Sequence, residues 1–335
     1  MPADEPPARL DVIGFGNAIV DVIAPADDRL VERLELAKGT MTLIDQDRMA
    51  AIYAHMGPAV EMSGGSCANT MAALAALGAG AAYVGKVQSD QLGQVFAHDI
   101  RAAGVEFATR PLIAGPPTAR CRVLVTSDAQ RTMATYLGAC VELGPDDVDE
   151  DQVAAAKVTY LEGYLWDRPN AKAACLKAAA IAHRHGRRVA LSLSDPFCVA
   201  RWRQEFADLI ARHVDIVIAN EVEICSLYGA NDLQQAIDLV RGQAGLAALT
   251  RSADGSVLVA GEQTEWVPAA PVARVTDSTG AGDLYAAGLL YGLTHGLPLA
   301  TCGRLGGLAA AEVLGQFGAR PERPLAPLVE QARRC

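Results

Sequence analysis

"DVIGFGNAIVDVIAP", residues 11–25, is an apolar strand running into Gly14-Phe15-Gly16, the way a dinucleotide-binding turn begins. That fingerprint requires a third glycine where this chain has Ile19. It also requires a helix directly afterwards, so that a pyrophosphate meets a helix N-terminus. Residues 20–25, "VDVIAP", instead carry a strand pattern. Both requirements fail, and a nicotinamide oxidoreductase is disfavoured. The two glycines alone are explained by a strand leaving its sheet tightly. Asn17 and Asp21 are not, because they are polar groups at the mouth of an apolar strand, suited to hydrogen-bonding hydroxyl groups.

Outward from this stretch, strand-like and helix-like segments alternate. Strand patterns include "AAYVGKV", "VTYLEGY", "RVALSLS", "VDIVIAN", "LAALTRS" and "GSVLVAG". Helical spacing marks 66–77, 91–103, 170–185, 199–212, 232–242, 283–295 and 298–314. Such alternation predicts an α/β fold of βαβ units around a mostly parallel sheet. Residues 18–46 and 109–137 break the rhythm with β-rich pieces and no long helix, which predicts a small antiparallel lid lying over one edge. The expected organisation is a core of 1–17, 47–108 and 138–335 with a discontinuous lid of 18–46 and 109–137.

Composition narrows the function classes. A formal charge of −10 disfavours nucleic-acid and anionic-membrane partners, which require a basic surface. The eight cysteines are scattered singly, without the close pairs of a structural zinc or a redox dithiol. The opening "MPADEPPARL" has no apolar core and reads as a loose tail, and no run approaches a membrane span. A cytoplasmic protein is expected.

The chemistry is most legible in "VTDSTGAGDLYAAGLLYGLTHGLP", residues 275–298. From Asp283 the apolar residues recur at helical spacing and stop at Gly296 and Pro298. Gly280-Ala281-Gly282 therefore sits at a helix entry, where small residues let a ligand oxygen approach free backbone N–H groups and the positive end of the helix dipole. Asp283 comes next, in the first turn. End-stabilisation alone explains an acid there, but not Gly-Ala-Gly before it. A carboxylate beside an anion hole suits the transfer of a phosphoryl group to a hydroxyl, with the acid taking the proton.

"DSTGAGD" at 277–283 resembles the second signature of the ribokinase-like, or PfkB, family of carbohydrate and nucleoside kinases. "GGSCANT" at 64–70, with Gly78, Gly85, Asp90 and Gly93 downstream, resembles the first, and "NEVE" at 220–223 matches the family's Asn-x-x-Glu pattern after a strand. The resemblance spans residues 10 to 320. It implies a ribokinase-like three-layer α/β/α sandwich with a small β-sheet lid. It further implies Asp283 as general base and the amides of Gly280, Ala281 and Gly282 as the anion hole. Asn220 and Glu223 would hold Mg²⁺ through water, although a capping box explains the same pair. Asp277 and Thr279 match positions lining a monovalent-cation site, K⁺ for instance. Thr250, Ser252 and Gly255 resemble ATP contacts, Arg131 falls on the lid near the phosphates, and Asp195 in "SLSDPF" falls near the phosphate region.

At the acceptor end, Asn17, Asp21, Gly64, Gly65 and Asn69 would fix the other hydroxyls of the acceptor, with the glycines admitting it close to the backbone. The Asn-x-x-x-Asp spacing of 17 and 21, and "RTMATYLGA" at 131–139, look like bacterial adenosine-kinase-like members. Met133, Tyr164 and Leu165 are candidates to hold a purine. The leading expectation is ATP-dependent phosphorylation of the 5′-hydroxyl of adenosine. Ribose, fructose or 2-keto-3-deoxygluconate remain alternative acceptors, and a non-catalytic nucleoside or sugar sensor is the alternative of another class. Both a monomer and a homodimer are compatible with a β lid, whose edges pair between subunits in some relatives.

Overall fold

Val12 and Ile13 are adjacent and fully buried, yet they belong to different apolar clusters. Successive side chains of a strand point to opposite faces, so this strand needs cover on both sides. The computed structural model describes residues 8–128 and 130–334. Residues 1–7 of the expected tail, and Cys335, lie outside the described residues.

In chain order the strands are β1 (Leu10–Phe15), β2 (Ile19–Pro25), β3 (Met41–Leu43), β4 (Val60–Gly64), β5 (Ala81–Val84), β6 (Glu106–Phe107), β7 (Ala119–Val125), β8 (Arg131–Tyr136), β9 (Ala156–Glu162), β10 (Arg188–Ser192), β11 (Ile216–Asn220), β12 (Leu246–Thr250), β13 (Ser256–Ala260) and β14 (Gln263–Val267). Nine form the large sheet, in the order β14-β13-β12-β11-β10-β9-β1-β5-β6. Its pairings are parallel from β6 across to β12, and β13 and β14 close one edge antiparallel. Helices Ser66–Leu77, Ala281–Thr294 and Leu299–Leu314 bury one face. Helices Pro169–Arg184, Pro196–His213, Glu221–Tyr228 and Leu233–Val240 bury the other. The result is the three-layer α/β/α arrangement with a smaller sheet beside it. No helix among the described residues is long and apolar enough to cross a membrane, and the cysteines described are free thiols, buried except for the half-buried Cys225.

The small sheet has five strands in the order β3-β8-β7-β2-β4. It departs from the expected antiparallel layer, because β2 pairs β7 and β3 pairs β8 in parallel, while β2–β4 and β7–β8 are antiparallel. The chain between β2 and β7 returns through the large sheet, and a crossover that long permits a parallel neighbour. Strand β4 and helix Gln46–Tyr53 also belong with this layer, although 47–108 is expected in the core. Ile52 packs with Leu30, Leu34, Leu124 and Ala134 on the outer face of the small sheet, the apolar surface within reach of so short a helix. Cys121, Val123 and Val125 of β7 alternate with these and form the inner face.

The opening glycines are explained by approach distances. A Cβ on Gly14 would stand 2.5 Å from Cys67 Sγ, and one on Gly16 would stand 2.5 Å from Cys67 Cβ and collide with the Glu162 carboxylate. The strand is bare so that the helix starting at Ser66 can lie against it. Gly16→Ala should therefore lower the urea midpoint by the cost of overpacking, about 1–3 kcal/mol; an unchanged midpoint would show that this spacing is slack.

Candidate active site

Asp283 sits in the first turn of helix Ala281–Thr294, whose N-cap Gly280 adopts φ +81°. An L side chain rarely adopts that angle, and a Cβ there would also stand 2.5 Å from Ala319 Cβ. The first N–H groups of a helix have no intrahelical acceptor, so the turn presents donors and positive dipole to the space in front of it. The carboxylate is held on both oxygens from another helix: Ser66 Oγ donates to Oδ1 at 2.7 Å and Asn69 Nδ2 donates to Oδ2 at 2.9 Å. Burial pushes its pKa up, against these two hydrogen bonds and the positive charges of Arg131 and Arg320.

Two buried carboxylates stand close enough to Asp283 to feel its charge. Asp21, in β2, has its pKa raised to about 7, chiefly by burial and despite the charge of Arg320. Glu162, the last residue of β9, is likewise raised to about 7 by burial. Its oxygens accept from Asn17 Nδ2 at 2.9 Å, from the Asn17 amide at 3.3 Å and from the Cys67 amide at 2.9 Å. Asn69 Oδ1 is buried with no hydrogen-bond partner among the described residues, an acceptor waiting for a donor.

These groups face one cavity of about 1030 Å³, lined on this side by Asn17, Asp21, Gly65, Asn69, Arg131 and Glu162. The turn Thr279–Asp283 lies in its wall. At its far end stand Asn220, Glu223, Thr250, Ser252 and Gly255, with Asp195 between. The expected site residues are thus brought together except two. Gly64 and Asp277 do not line the cavity. The space at Gly64 is filled by the Asp21 carboxylate, into which a Cβ would run, and Gly65, at φ +88°, is pressed against the Asn17 carbonyl. The glycines therefore admit this chain's own polar groups rather than a ligand. Asp277 is fully buried and works as a brace: Oδ1 accepts from the Thr279 amide at 2.9 Å and from Thr279 Oγ1 at 2.6 Å, and Oδ2 accepts from the Gly318 amide at 2.9 Å.

Asn220 and Glu223 form the expected capping box and both line the cavity. The Glu223 amide donates to Asn220 Oδ1 at 2.9 Å, and the Asn220 amide donates to Glu223 Oε2 at 3.0 Å, a reciprocal capping box. The same Glu223 lines the cavity, with its pKa raised to about 7 by burial. Of the residues proposed to hold a purine, Met133 and Tyr164 line the cavity. Leu165 does not; it is buried in the core behind the large sheet, because the tight turn Gly163–Asp167 sends neighbouring side chains to opposite sides.

Sequence reasoning missed Ser66, Glu162 and Arg320. Ser66 stands inside "GGSCANT", and Glu162 was detectable as a lone acid ending the apolar run "VTYLE". Arg320 lies in a stretch without periodicity and gave no signal.

The fold and the sequence have counterparts in known proteins. A solved adenosine kinase from Sinorhizobium meliloti is 54% identical, with a TM-score of 0.94 over 97% of this chain and 100% of that one. A probable sugar kinase from Rhizobium etli CFN 42 is 50% identical, with a TM-score of 0.95 over 98% of this chain and 100% of the other. The 5-dehydro-2-deoxygluconokinase of Bacillus subtilis (strain 168) is 25% identical over 334 residues, 96% of this chain and 95% of its own. With the profile of the pfkB family carbohydrate kinases matching residues 41–325, and with a glycine-capped helix entry beside a partly buried acid, the chain belongs to the pfkB family of carbohydrate kinases, enzymes that phosphorylate an alcohol.

Proposed function

We propose that this kinase transfers the γ-phosphoryl group of ATP to the 5′-hydroxyl of a nucleoside, adenosine first. The observation that carries the reading is the grip of Ser66 and Asn69 on Asp283 beside the open helix turn. Ser66 and Asn69 aim the carboxylate; the carboxylate takes the hydroxyl proton; the amides of Gly280, Ala281 and Gly282 meet the charge on the phosphate. Asp21, Asn17 and the free Asn69 Oδ1 hold the remaining hydroxyls of the acceptor.

The choice of acceptor rests on charge. Arg131 is the single basic residue among the described residues lining the cavity, and with Arg320, which stands behind the wall and acts on Asp21 and Asp283, it faces the carboxylates of Asp21, Glu162 and Asp283. A neutral nucleoside tolerates this balance, and the S. meliloti relative is named as an adenosine kinase. Met133, Cys121 and Val123 of the small sheet add an apolar wall suited to a purine. A sugar acid, suggested by the name of the B. subtilis relative, would bring a fourth carboxylate to a place where Asp21, Glu162 and Asp283 already outnumber Arg131 and Arg320. ATP would lie along Thr250, Ser252 and Gly255 with its phosphates toward Arg131.

Among the described residues no three His, Cys, Asp or Glu cluster as a metal cage. Mg²⁺ keeps water and takes few protein ligands, and the donor set present suits it: Glu223, buried and lining the cavity beside Asn220, would hold it through its hydration shell. When bound, Mg²⁺ offsets phosphate charge during transfer. A monovalent cation would be favoured near Asp277, whose buried charge is met only by neutral donors.

Incubation with Mg-ATP and a panel of nucleosides, ribose, fructose and sugar acids, read as ADP formation, should show adenosine turned over best; preference for a sugar acid would overturn the acceptor assignment. Asp283→Asn should keep ATP binding and lower kcat by about 10²–10⁴, and unchanged turnover would reject the base. Asp21→Ala should raise the acceptor KM while sparing that for ATP. Because burial raises the pKa of Asp283 and the base must be ionised, kcat should fall with falling pH at values above the ordinary aspartate range near ~4; an acid limb at that ordinary value would remove burial as the controlling cause.

A further inference from the structure

The stretch Gln316–Arg320, which comes after helix Leu299–Leu314, touches both sides of the candidate site with successive residues. The Gly318 amide donates to Asp277 Oδ2 at 2.9 Å, and Asp277 in turn fixes Thr279 and the turn that opens the anion site. Ala319 packs against Gly280 so closely that no side chain fits there. Arg320, partly buried, reaches the other half of the molecule. Its Nε and Nη2 donate to Ser63 O at 3.2 and 3.0 Å, Nη2 also donates to Ser63 Oγ at 3.0 Å, and Nη1 donates to Ala68 O at 3.0 Å. Ser63 belongs to β4 of the small sheet, and its amide donates to Asp99 Oδ2 at 3.2 Å. Ala68 lies in the first turn of the helix that supplies Ser66 and Asn69.

The stretch is itself tied. Gln316 Nε2 donates to Arg320 O at 2.5 Å, Gln316 Oε1 accepts from the Glu322 amide at 3.1 Å, and the Thr276 amide donates to Leu314 O at 2.8 Å. It is a short, self-clamped segment with one end on the phosphate turn and the other on the joint between small sheet and core.

We infer that Gln316–Arg320 is a brace that couples the small sheet to the phosphoryl-transfer turn, with Arg320 as its positioning residue. The guanidinium does not line the cavity and touches no reacting atom. Its fork spans a strand of the small sheet and a helix of the core, a task that needs several N–H donors in fixed directions and that a lysine does not reproduce. A shift of β4 is thereby passed to Ala68, hence to Ser66 and Asn69, and through Gly318 and Ala319 to Asp277 and Gly280. Both sides of the transfer are set by one segment. The inference rests on the reading of Asp283 as the base, and its test separates the two.

In Arg320→Ala, kcat/KM for the acceptor should fall about 10²-fold, the cost of a small misplacement of reacting groups. The affinity for ATP without acceptor should be unchanged. Added guanidinium should restore part of the rate, and Arg320→Lys should recover little. Wild-type kinetics in Arg320→Ala would overturn the brace. So would equal loss toward both substrates with a lowered Tm and no rescue, which marks a merely structural residue. Hydrogen–deuterium exchange gives a readout independent of turnover: residues 60–69 should exchange faster in Arg320→Ala, with the helix 169–184 unaffected. If the wild-type enzyme turns over no acceptor, the functional reading fails while exchange still decides the brace, and unchanged exchange at 60–69 sinks it.

Discussion

The site depends on one pair of hydrogen bonds, from Ser66 and Asn69 of one helix to Asp283 of another, made across sequence separations of 217 and 214 residues. Two helix N-termini face each other, and a partly buried carboxylate lies between them. A charge in that position is costly unless it is held by donors, and the donors present are aimed at it by the first turns of their own helices. The burial that makes Asp283 a stronger base in principle would neutralise it without them. Nearly every other feature of the site serves to keep these two helix ends in register.

The glycines belong to that constraint. Gly14 and Gly16 let the helix of Ser66 lie against β1, Gly280 lets Ala319 close behind the anion turn, and Gly64 and Gly65 let Asp21 and Asn17 crowd under the first turn. At each place a methyl group would push apart elements that meet at the cavity or brace its wall. The cavity is therefore defined by backbone proximity, and its polar side chains occupy space that other folds give to Cβ atoms. Glu162 obeys the same logic: it accepts from Asn17 and from the Cys67 amide, and so ties the end of β9 to the acceptor loop and to the helix of Ser66.

Features with local causes were legible in the sequence. The helix entry at 280–283, the βαβ rhythm and the Asn220–Glu223 pair each announce themselves within a few residues, because caps, periodicity and glycine placement are short-range effects. Features whose cause lies elsewhere in the chain were not. Glu162 acts through Asn17 and Cys67, and Arg320 through Ser63 and Ala68, so neither has a neighbour that explains it. The placement of β4 is of the same kind: its residues fall within the stretch expected in the core, and only pairing with β2 assigns them to the small sheet. The parallel pairing of β2 with β7 depends on the path of the intervening chain, which no window of sequence contains.

The large sheet also sets out the cavity's residues in a row. Strands β12, β11, β10, β9 and β1 lie side by side and parallel, and each ends at the cavity: Thr250, Asn220, Asp195, Glu162 and Asn17 succeed one another along that edge. Ligands of open parallel sheets gather at the carboxyl ends of the strands. At about 4.8 Å per strand, the row from Thr250 to Asn17 spans about 19 Å, room for an extended nucleotide and then a second small molecule, with the turn of Asp283 near the junction. Changes at β9, β1 and the small sheet alter one end of this row and leave the other intact. Relatives named as an adenosine kinase and as a 5-dehydro-2-deoxygluconokinase align with nearly the whole of this chain, and a row of strand ends that can be altered at one end alone is compatible with both.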